Sequence, residues 1–340
     1  MTGAARGTGR AVARWLADPA HLGGCIGLDS DQPDLPGVSW RAADVTDPRM
    51  VGCLAGVHTL VHLAYDLDPA VDRATQRAAN LAAASVALTA AAAASVRQVV
   101  LVTSAMVYGA QAGNPVPLPE DAPLAAVPEA SPLGDLLELE RLAVRARRAH
   151  PGLSVVVLRP ALLVGPDVPV PAAGMLDGPR LLFVRGADPH WQFCHVDDLA
   201  AAIAVAVRGG VQEAATVGCE GWLDQATVES LSGRHRLELS AAVAFGTAER
   251  LHRVGISAGP ASELAYLVHP WVVGSQQLRA LGWQPAYDNA DALRSYVQTR
   301  PDALVTGRRV AAGAGAAAGA TVALVGTAAI VRRARARRKK

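Results

Sequence analysis

The chain has 340 residues, 51% of them hydrophobic and only 4% aromatic, which supplies a substantial core and argues against a largely disordered polymer. Seven basic side chains crowd into residues 332–340, leaving 25 basic against 30 acidic residues elsewhere and a formal charge of −5. That acidic body has no basic stripe with interleaved aromatics and speaks against a nucleic-acid surface. Four widely spaced cysteines with no CxxC pair speak against a structural metal and for free thiols in a reducing, cytoplasmic compartment.

The first ten residues, Met-Thr-Gly-Ala-Ala-Arg-Gly-Thr-Gly-Arg, set Gly3, Gly7 and Gly9 ahead of a helical pattern over Ala11–Ala17. Glycines so placed let the backbone turn tightly and approach a pyrophosphate, whose charge then faces the free N–H groups of a helix starting near Thr8. A glycine-rich loop before any helix is the plain alternative. The apolar run Gly24 to Leu28 ends in Asp29, 26 residues after Gly3, where a carboxylate would accept the ribose hydroxyls of an adenosine. Such a turn should follow the central strand of a doubly wound sheet, yet only Met1 precedes it. With 30 Arg against 2 Lys and abundant Ala, the composition suggests a GC-rich genome, in which a GTG valine codon is easily taken for a start. The expectation is therefore a first strand cut short, with the chain as written beginning too late.

Pro33 and Pro36 mark a loop, and Val38 to Ala42 reads as a strand that delivers Asp44 and Val45, where a carboxylate would meet an adenine amino group. Asp44 or Asp47 capping a helix from Pro48 is an equal alternative. Thr59 to Ala64 and Val99 to Val102 are short apolar runs of buried-strand type, separated by an Ala-rich helical stretch from Ala70 to Ser95. Strands alternating with helices predict an α/β protein with a parallel sheet covered on both faces. Ser104 follows the last of these strands, where a hydroxyl would hold a substrate oxygen, unless it merely satisfies the strand end.

In order along the chain, Thr2-Gly3, Gly7-x-Gly9, Asp29, Asp44-Val45, His62-Leu63-Ala64, Asn80, Thr103-Ser104-x-x-Val107-Tyr108-Gly109, Leu158-Arg159-Pro160, Gly165-Pro166 and Gln192-Phe193-Cys194-His195-Val196-Asp197-Asp198 resemble the motifs of the extended short-chain dehydrogenase/reductase family, the sugar-nucleotide epimerases and dehydratases. Leu278 to Pro285 resembles the late helix-turn signature of that family, so the likeness covers roughly residues 1–297. It implies a Rossmann-type doubly wound sheet over residues 1–165, with 192–220 returning to it. It further implies a small discontinuous substrate lobe from 166–191 and 221–300, followed by a tail from 301 to 340. The cofactor-binding set implied is Gly3, Arg6, Gly7, Gly9, Asp29, Asp44, Val45, Leu63, Ala64, Asn80, Arg159 and Pro160. Homodimers, paired through helices, and nucleotide-sugar substrates are also common in the family.

Two departures matter. Arg6 stands where the extended family has its middle glycine; it would favour a 2′-phosphate, whereas Asp29 would repel one, so NAD is preferred over NADP. In the family a tyrosine and a lysine four residues later move the hydroxyl proton and hold the nicotinamide ribose. The matching positions here are Leu133 and Leu137, neither able to transfer a proton, and the chain has no lysine before Lys339 and no tyrosine between Tyr108 and Tyr266. Tyr108, Glu138 and His195 are substitute proton carriers to be weighed. A cofactor-binding protein without turnover, of a sensor or regulatory kind, is the first reading. An oxidoreductase or epimerase acting on a nucleotide-sugar by a modified mechanism is the second.

Val310 to Val331 is a 22-residue run without charge, long enough to cross a bilayer core of about 30 Å, although its Ala and Gly insert poorly. With seven basic residues after it, lying on the inner face of the membrane against anionic headgroups fits the charge distribution better than spanning; a flexible Ala-rich extension is the plain alternative. Ending the chain at Thr306 should move the protein from the membrane fraction to the soluble fraction on cell fractionation. Equal recovery of both forms as soluble protein would overturn that expectation.

Overall fold

The computed structural model describes residues 1–66, 71–168, 175–176, 180–253 and 259–299. The run Val310–Val331 and the basic tail lie outside them; among the described residues no helix is long and apolar enough to cross a membrane.

Helix α1 (Gly7–Ala17) starts four residues earlier than its apolar pattern and buries Val12, Ala13 and Leu16. Next come β1 (Cys25–Asp29), β2 (Val38–Ala42), β3 (Thr59–His62), α2 (Arg73–Ala93), β4 (Gln98–Val102), α3 (Pro132–Ala149) and β5 (Ser154–Pro160). The chain continues with β6 (Leu162–Val164), β7 (Leu181–Val184), β8 (Phe193–His195), α4 (Val196–Arg208) and β9 (Ala214–Val217). It closes with α5 (Gln225–Ser232), β10 (Arg236–Leu239), α6 (Ala241–Arg253), α7 (Gln276–Ala280) and α8 (Asn289–Thr299). The helix anticipated from Pro48 is a 3-10 helix, Pro48–Leu54, capped by Asp47, whose carboxylate accepts from the Arg49 N–H at 2.8 Å.

Strands β3, β4, β5 and β9 pair in parallel in that order, and β1 pairs in parallel with β2. Valines and leucines fill β4 and β5 because both faces are covered by helices, and Val99, Val100, Val157 and Leu158 are fully buried. On α2, Ala83, Ala84, Ala87 and Ala91 are buried, and their small side chains let that helix sit close against its neighbours.

The two halves of the sheet meet through Met1 and Thr2, which occupy the central position between β1 and β3. Thr2 bridges Leu28 on one side and His62 on the other, both in parallel. The Leu28 N–H donates to Met1 O at 2.8 Å, the Thr2 N–H to Val61 O at 3.0 Å and the Leu63 N–H to Thr2 O at 3.3 Å. The sheet thus runs β2, β1, Met1–Thr2, β3, β4, β5, β9, and the two rows of backbone groups flanking the centre are paired over a short stretch.

A second small sheet joins β7 to β10, with its own core of Val184, Leu239 and Ala244. Helix α7 packs on β9 and α4, α8 packs on β6 and β8, and Leu278, Trp283, Leu293 and Tyr296 enter the main core.

Buried His62 carries a pH signature. Its Nδ1 pairs with the Thr2 hydroxyl at 2.8 Å, its Nε2 has no partner, and burial pushes its pKa down to about 4. The unfolded chain takes up a proton near pH 6.5 and the folded chain only near 4, so unfolding is accompanied by proton uptake between those values. The contribution to stability is complete above pH 6.5 and is lost as pH falls toward 4, by about 3 kcal/mol. Urea unfolding of His62→Gln should show a flatter dependence than the parent across this window; parallel curves would exclude the assignment.

Candidate functional site

The turn between Thr2 and α1 is built by close approach. A side chain at Gly3, where φ is +68°, would place its Cβ 2.7 Å from the backbone of Leu63 and Ala64. At Gly9 a Cβ would stand 1.9 Å from the Gly3 carbonyl oxygen, so the first turn of α1 can fold back on Gly3 only without one. Gly7 (φ +51°) takes the left-handed conformation that starts the helix. Arg6, at the N-cap position, supplies no side-chain cap, so the first N–H groups of α1 remain available to an anion.

Asp29 ends β1 beside this turn. The Ala5 N–H points at its Oδ2 from 3.4 Å, and the Asp31 N–H at its Oδ1 from 3.3 Å. With Ser30, Ala43, Asp44, Val45 and Ala64 it lines an open cavity of about 260 Å3 at the carboxyl ends of the strands. The Asp44 carboxylate accepts from the Thr46 hydroxyl at 2.7 Å and from its N–H at 2.8 Å, and these bonds hold its pKa below the usual range. Asp44 therefore faces the cavity while Asp47 does the capping. Asn80 clamps the loop after β3: its Oδ1 accepts from the Asp66 N–H at 2.7 Å and its Nδ2 donates to Asp66 O at 2.9 Å. It shapes the cavity wall through that loop. Arg6 pairs with Asp31 at the exposed rim.

Arg159 and Pro160, at the end of β5, lie away from this cavity. The Arg159 guanidinium is buried and makes two bonds to Glu140, Nε to Oε1 and Nη2 to Oε2, each at 2.9 Å. It also donates through Nη1 to the Tyr108 hydroxyl at 2.8 Å. Thr103 donates to Glu140 Oε1 at 2.8 Å, and Tyr108 donates to Glu120 O at 2.8 Å. Arg159 is thus an internal tie between β5, α3 and the segment after β4, and its donors are committed. Sequence alone could not show this, because Glu140 reads as one charge among many on α3.

The Ser104 hydroxyl caps the short 3-10 helix Ala105–Tyr108, accepting from the Met106 N–H at 3.2 Å. Leu133 and Leu137 are both buried in the main core. Between them on α3 sits Asp135, fully buried and ion-paired with Arg73 and Arg77 of α2. The Tyr65 hydroxyl donates to Pro132 O at 2.9 Å and lies 3.4 Å from Asp135 Oδ2. Burial, then the Asp135 charge, push the Tyr65 pKa well above the usual tyrosine range. This group was missed because its members fall outside the family motifs; the available signal was an acid in the apolar first turn of α3, between Gly134 and Leu136, with a neighbouring helix that begins with two arginines at a four-residue spacing.

The substitute proton carriers are each engaged elsewhere. Burial raises Glu138, but bonds from Arg145 and Arg141 prevail and hold it below the usual carboxylate range. The His195 Nε2 pairs with the Ser295 hydroxyl at 3.0 Å, its ring stacks on Tyr287 at 3.7 Å, and burial lowers its pKa. Tyr108 is held in the Arg159 network, with its pKa raised by burial.

Comparison with other proteins agrees with this architecture. Relatives of the chain include the uncharacterized proteins Rv0501 of Mycobacterium tuberculosis and Mb0513 of Mycobacterium bovis, each 25% identical over 315 residues, which cover 88% of this chain and 83% of theirs. Among solved structures, that of gox2253 superposes with a TM-score of 0.69 at 22% identity, covering 88% of this chain and 97% of the other. The Bacillus anthracis dTDP-glucose 4,6-dehydratase in complex with NAD gives 0.65 at 16% identity, covering 88% and 95%. The Thermotoga maritima UDP-glucose 4-epimerase with UDP-glucose also gives 0.65, at 18% identity and covering 89% and 98%. The model of the NAD dependent epimerase/dehydratase family matches residues 1–218, and the chain belongs to that family.

Proposed function

We propose that this chain binds NAD and a nucleotide-sugar in the cleft at the carboxyl edge of its sheet and does not carry out the hydride and proton transfers typical of its family. The observation that carries this reading is the burial of Leu133 and Leu137 in the core at the two positions where the family resemblance expects proton carriers. Tyr65, beside the start of α3, donates its hydroxyl to the Pro132 carbonyl next to Asp135, a carboxylate that is already ion-paired. A proton carrier needs a pKa near the working pH, and that of Tyr65 is pushed well above it by burial and the Asp135 charge.

The residues present fit the cofactor. The uncapped start of α1 suits the pyrophosphate, Asp29 the ribose hydroxyls and Asp44 the adenine amino group. Arg6, the cation of the glycine turn, is paired to Asp31 and so is not free to offset the repulsion of a 2′-phosphate by Asp29, which favours NAD over NADP. Bound there, the nicotinamide would supply a hydride acceptor, and what this chain lacks is the group to take the accompanying proton. The NAD complex of the B. anthracis dehydratase and the UDP-glucose complex of the T. maritima epimerase support the choice of both ligands.

Calorimetric titration should give NAD binding tighter than NADP, and Asp29→Ala should weaken NAD by about 1–3 kcal/mol, the worth of a charge-assisted hydrogen bond. A coupled assay with UDP-glucose and dTDP-glucose should show no turnover near 1 per second; an ordinary enzymatic rate would refute the non-catalytic reading. Leu133→Tyr combined with Leu137→Lys should remain inactive and lose several kcal/mol of stability, because the new ammonium enters the core without a partner. Thermal unfolding of the double variant at or above the parent's Tm would show that the pocket accepts the pair.

A further inference from the structure

The edge of the main sheet opposite the cleft carries charge of one sign. Strands β3, β4, β5 and β9 are parallel, so their amino ends lie together on that edge, with the loops 55–58, 94–97, 149–153 and 209–213 that lead into them. The Arg97 N–H donates to His58 O at 3.0 Å and the Ser154 N–H to Arg97 O at 2.9 Å, which ties three of these loops side by side. The Gln98 side chain donates to Ala206 O at 2.9 Å and draws the end of α4 to the start of β4.

Three exposed arginines stand on this edge: Arg97 before β4, Arg148 in the last turn of α3 and Arg208 at the end of α4. None of their guanidinium groups has a hydrogen bond or ion pair among the described residues. Glu213 is the single acid of the four loops, and it faces Arg147 at 4.0 Å. Leu281, 41% exposed, reaches the same edge, where a Cβ on Gly210 would stand 2.9 Å from its side chain. The negative end of a helix dipole accounts for Arg148 and for Arg208 taken singly, but Arg97 lies on no helix. Unpaired guanidinium groups beside an exposed leucine match the headgroup layer of an anionic bilayer, which attracts cations and takes up apolar side chains at its boundary.

The end of the chain is a second, independent observation. The uncharged run Val310 to Val331 and the seven basic residues within 332–340 have the composition of a segment that lies on anionic lipid. Residues 300–309 separate that run from α8, and a stretch of this length reaches about 33 Å when extended. Helix α4, which crosses the depth of the sheet, has 13 residues and is about 20 Å long, so the intervening stretch is long enough to bring the run to the plane of the amino edge.

We propose that the amino edge of β3, β4, β5 and β9 rests on an anionic lipid bilayer, with Arg97, Arg148 and Arg208 against the headgroups and Leu281 at the boundary, beside the carboxyl-terminal run and tail. The cleft then opens away from the bilayer, because it lies at the carboxyl ends of the strands. The proposal goes beyond the cofactor reading and does not depend on it.

Sedimentation of the full chain with vesicles tests it, using phosphatidylcholine alone and a mixture of phosphatidylcholine with phosphatidylserine. The parent should bind the mixed vesicles more tightly. Arg97→Gln, Arg148→Gln and Arg208→Gln together should weaken binding to mixed vesicles about tenfold or more and leave binding to phosphatidylcholine unchanged. The control is the same loss of charge elsewhere, Arg185→Gln, Arg253→Gln and Arg294→Gln, on exposed side chains of the small lobe and α8, and it should weaken binding by about twofold or less. Arg97→Gln alone, with an expected loss of about threefold, carries the comparison if the triple variant does not fold. Equal weakening by the two sets would reduce the effect to net charge and overturn the proposal. So would unchanged binding of the first set, in which case the tail acts alone, or failure of the parent to bind mixed vesicles.

Discussion

The structure depends on how two residues close the middle of a sheet. Met1 and Thr2 stand between β1 and β3, and through their backbone bonds and the Thr2–His62 side-chain pair the two halves become one surface. The glycine turn follows at once, and Gly3 can rest on Leu63–Ala64 only because it has no side chain. That contact fixes the start of α1 relative to the loop after β3. The cavity lined by Asp29, Asp44 and Ala64 forms where these segments meet. The glycines of the turn therefore serve chain packing first, and by doing so bring an open helix start to the cleft.

A second constraint organises the opposite wall. In the family that the chain belongs to, the helix here called α3 is where the resemblance looks for a tyrosine and a lysine. In this chain α3 is tied down by charge. Asp135 is gripped by Arg73 and Arg77 from α2, and Glu140 is gripped by Arg159 from β5. A buried ion pair contributes little net stability against an apolar alternative, but removing one partner is costly. The arrangement therefore fixes the register of α3 more than it strengthens the fold. It holds Leu133 against a second, smaller cavity and Leu137 in the core, so both positions on α3 present apolar surface.

The sequence by itself determined the alternation of strands and helices, the position of the glycine turn, and the placing of Asp29 and Asp44 where strands end. Each is a local pattern: an apolar run, a glycine spacing, or an acid at a strand end. It also determined that no lysine precedes Lys339 and that no tyrosine lies between Tyr108 and Tyr266, because that is a matter of residue identity. Only the tertiary structure decided what the charged groups do. Arg159 read as a cofactor ligand from its motif, but its partners Glu140 and Tyr108 lie 19 and 51 residues away and are brought to it by the sheet. The cluster of Tyr65, Arg73, Arg77 and Asp135 was equally hidden. Hydrophobic periodicity carries the burial of a segment along the chain, whereas the partner of a buried charge is set by contacts between distant segments that no local pattern encodes.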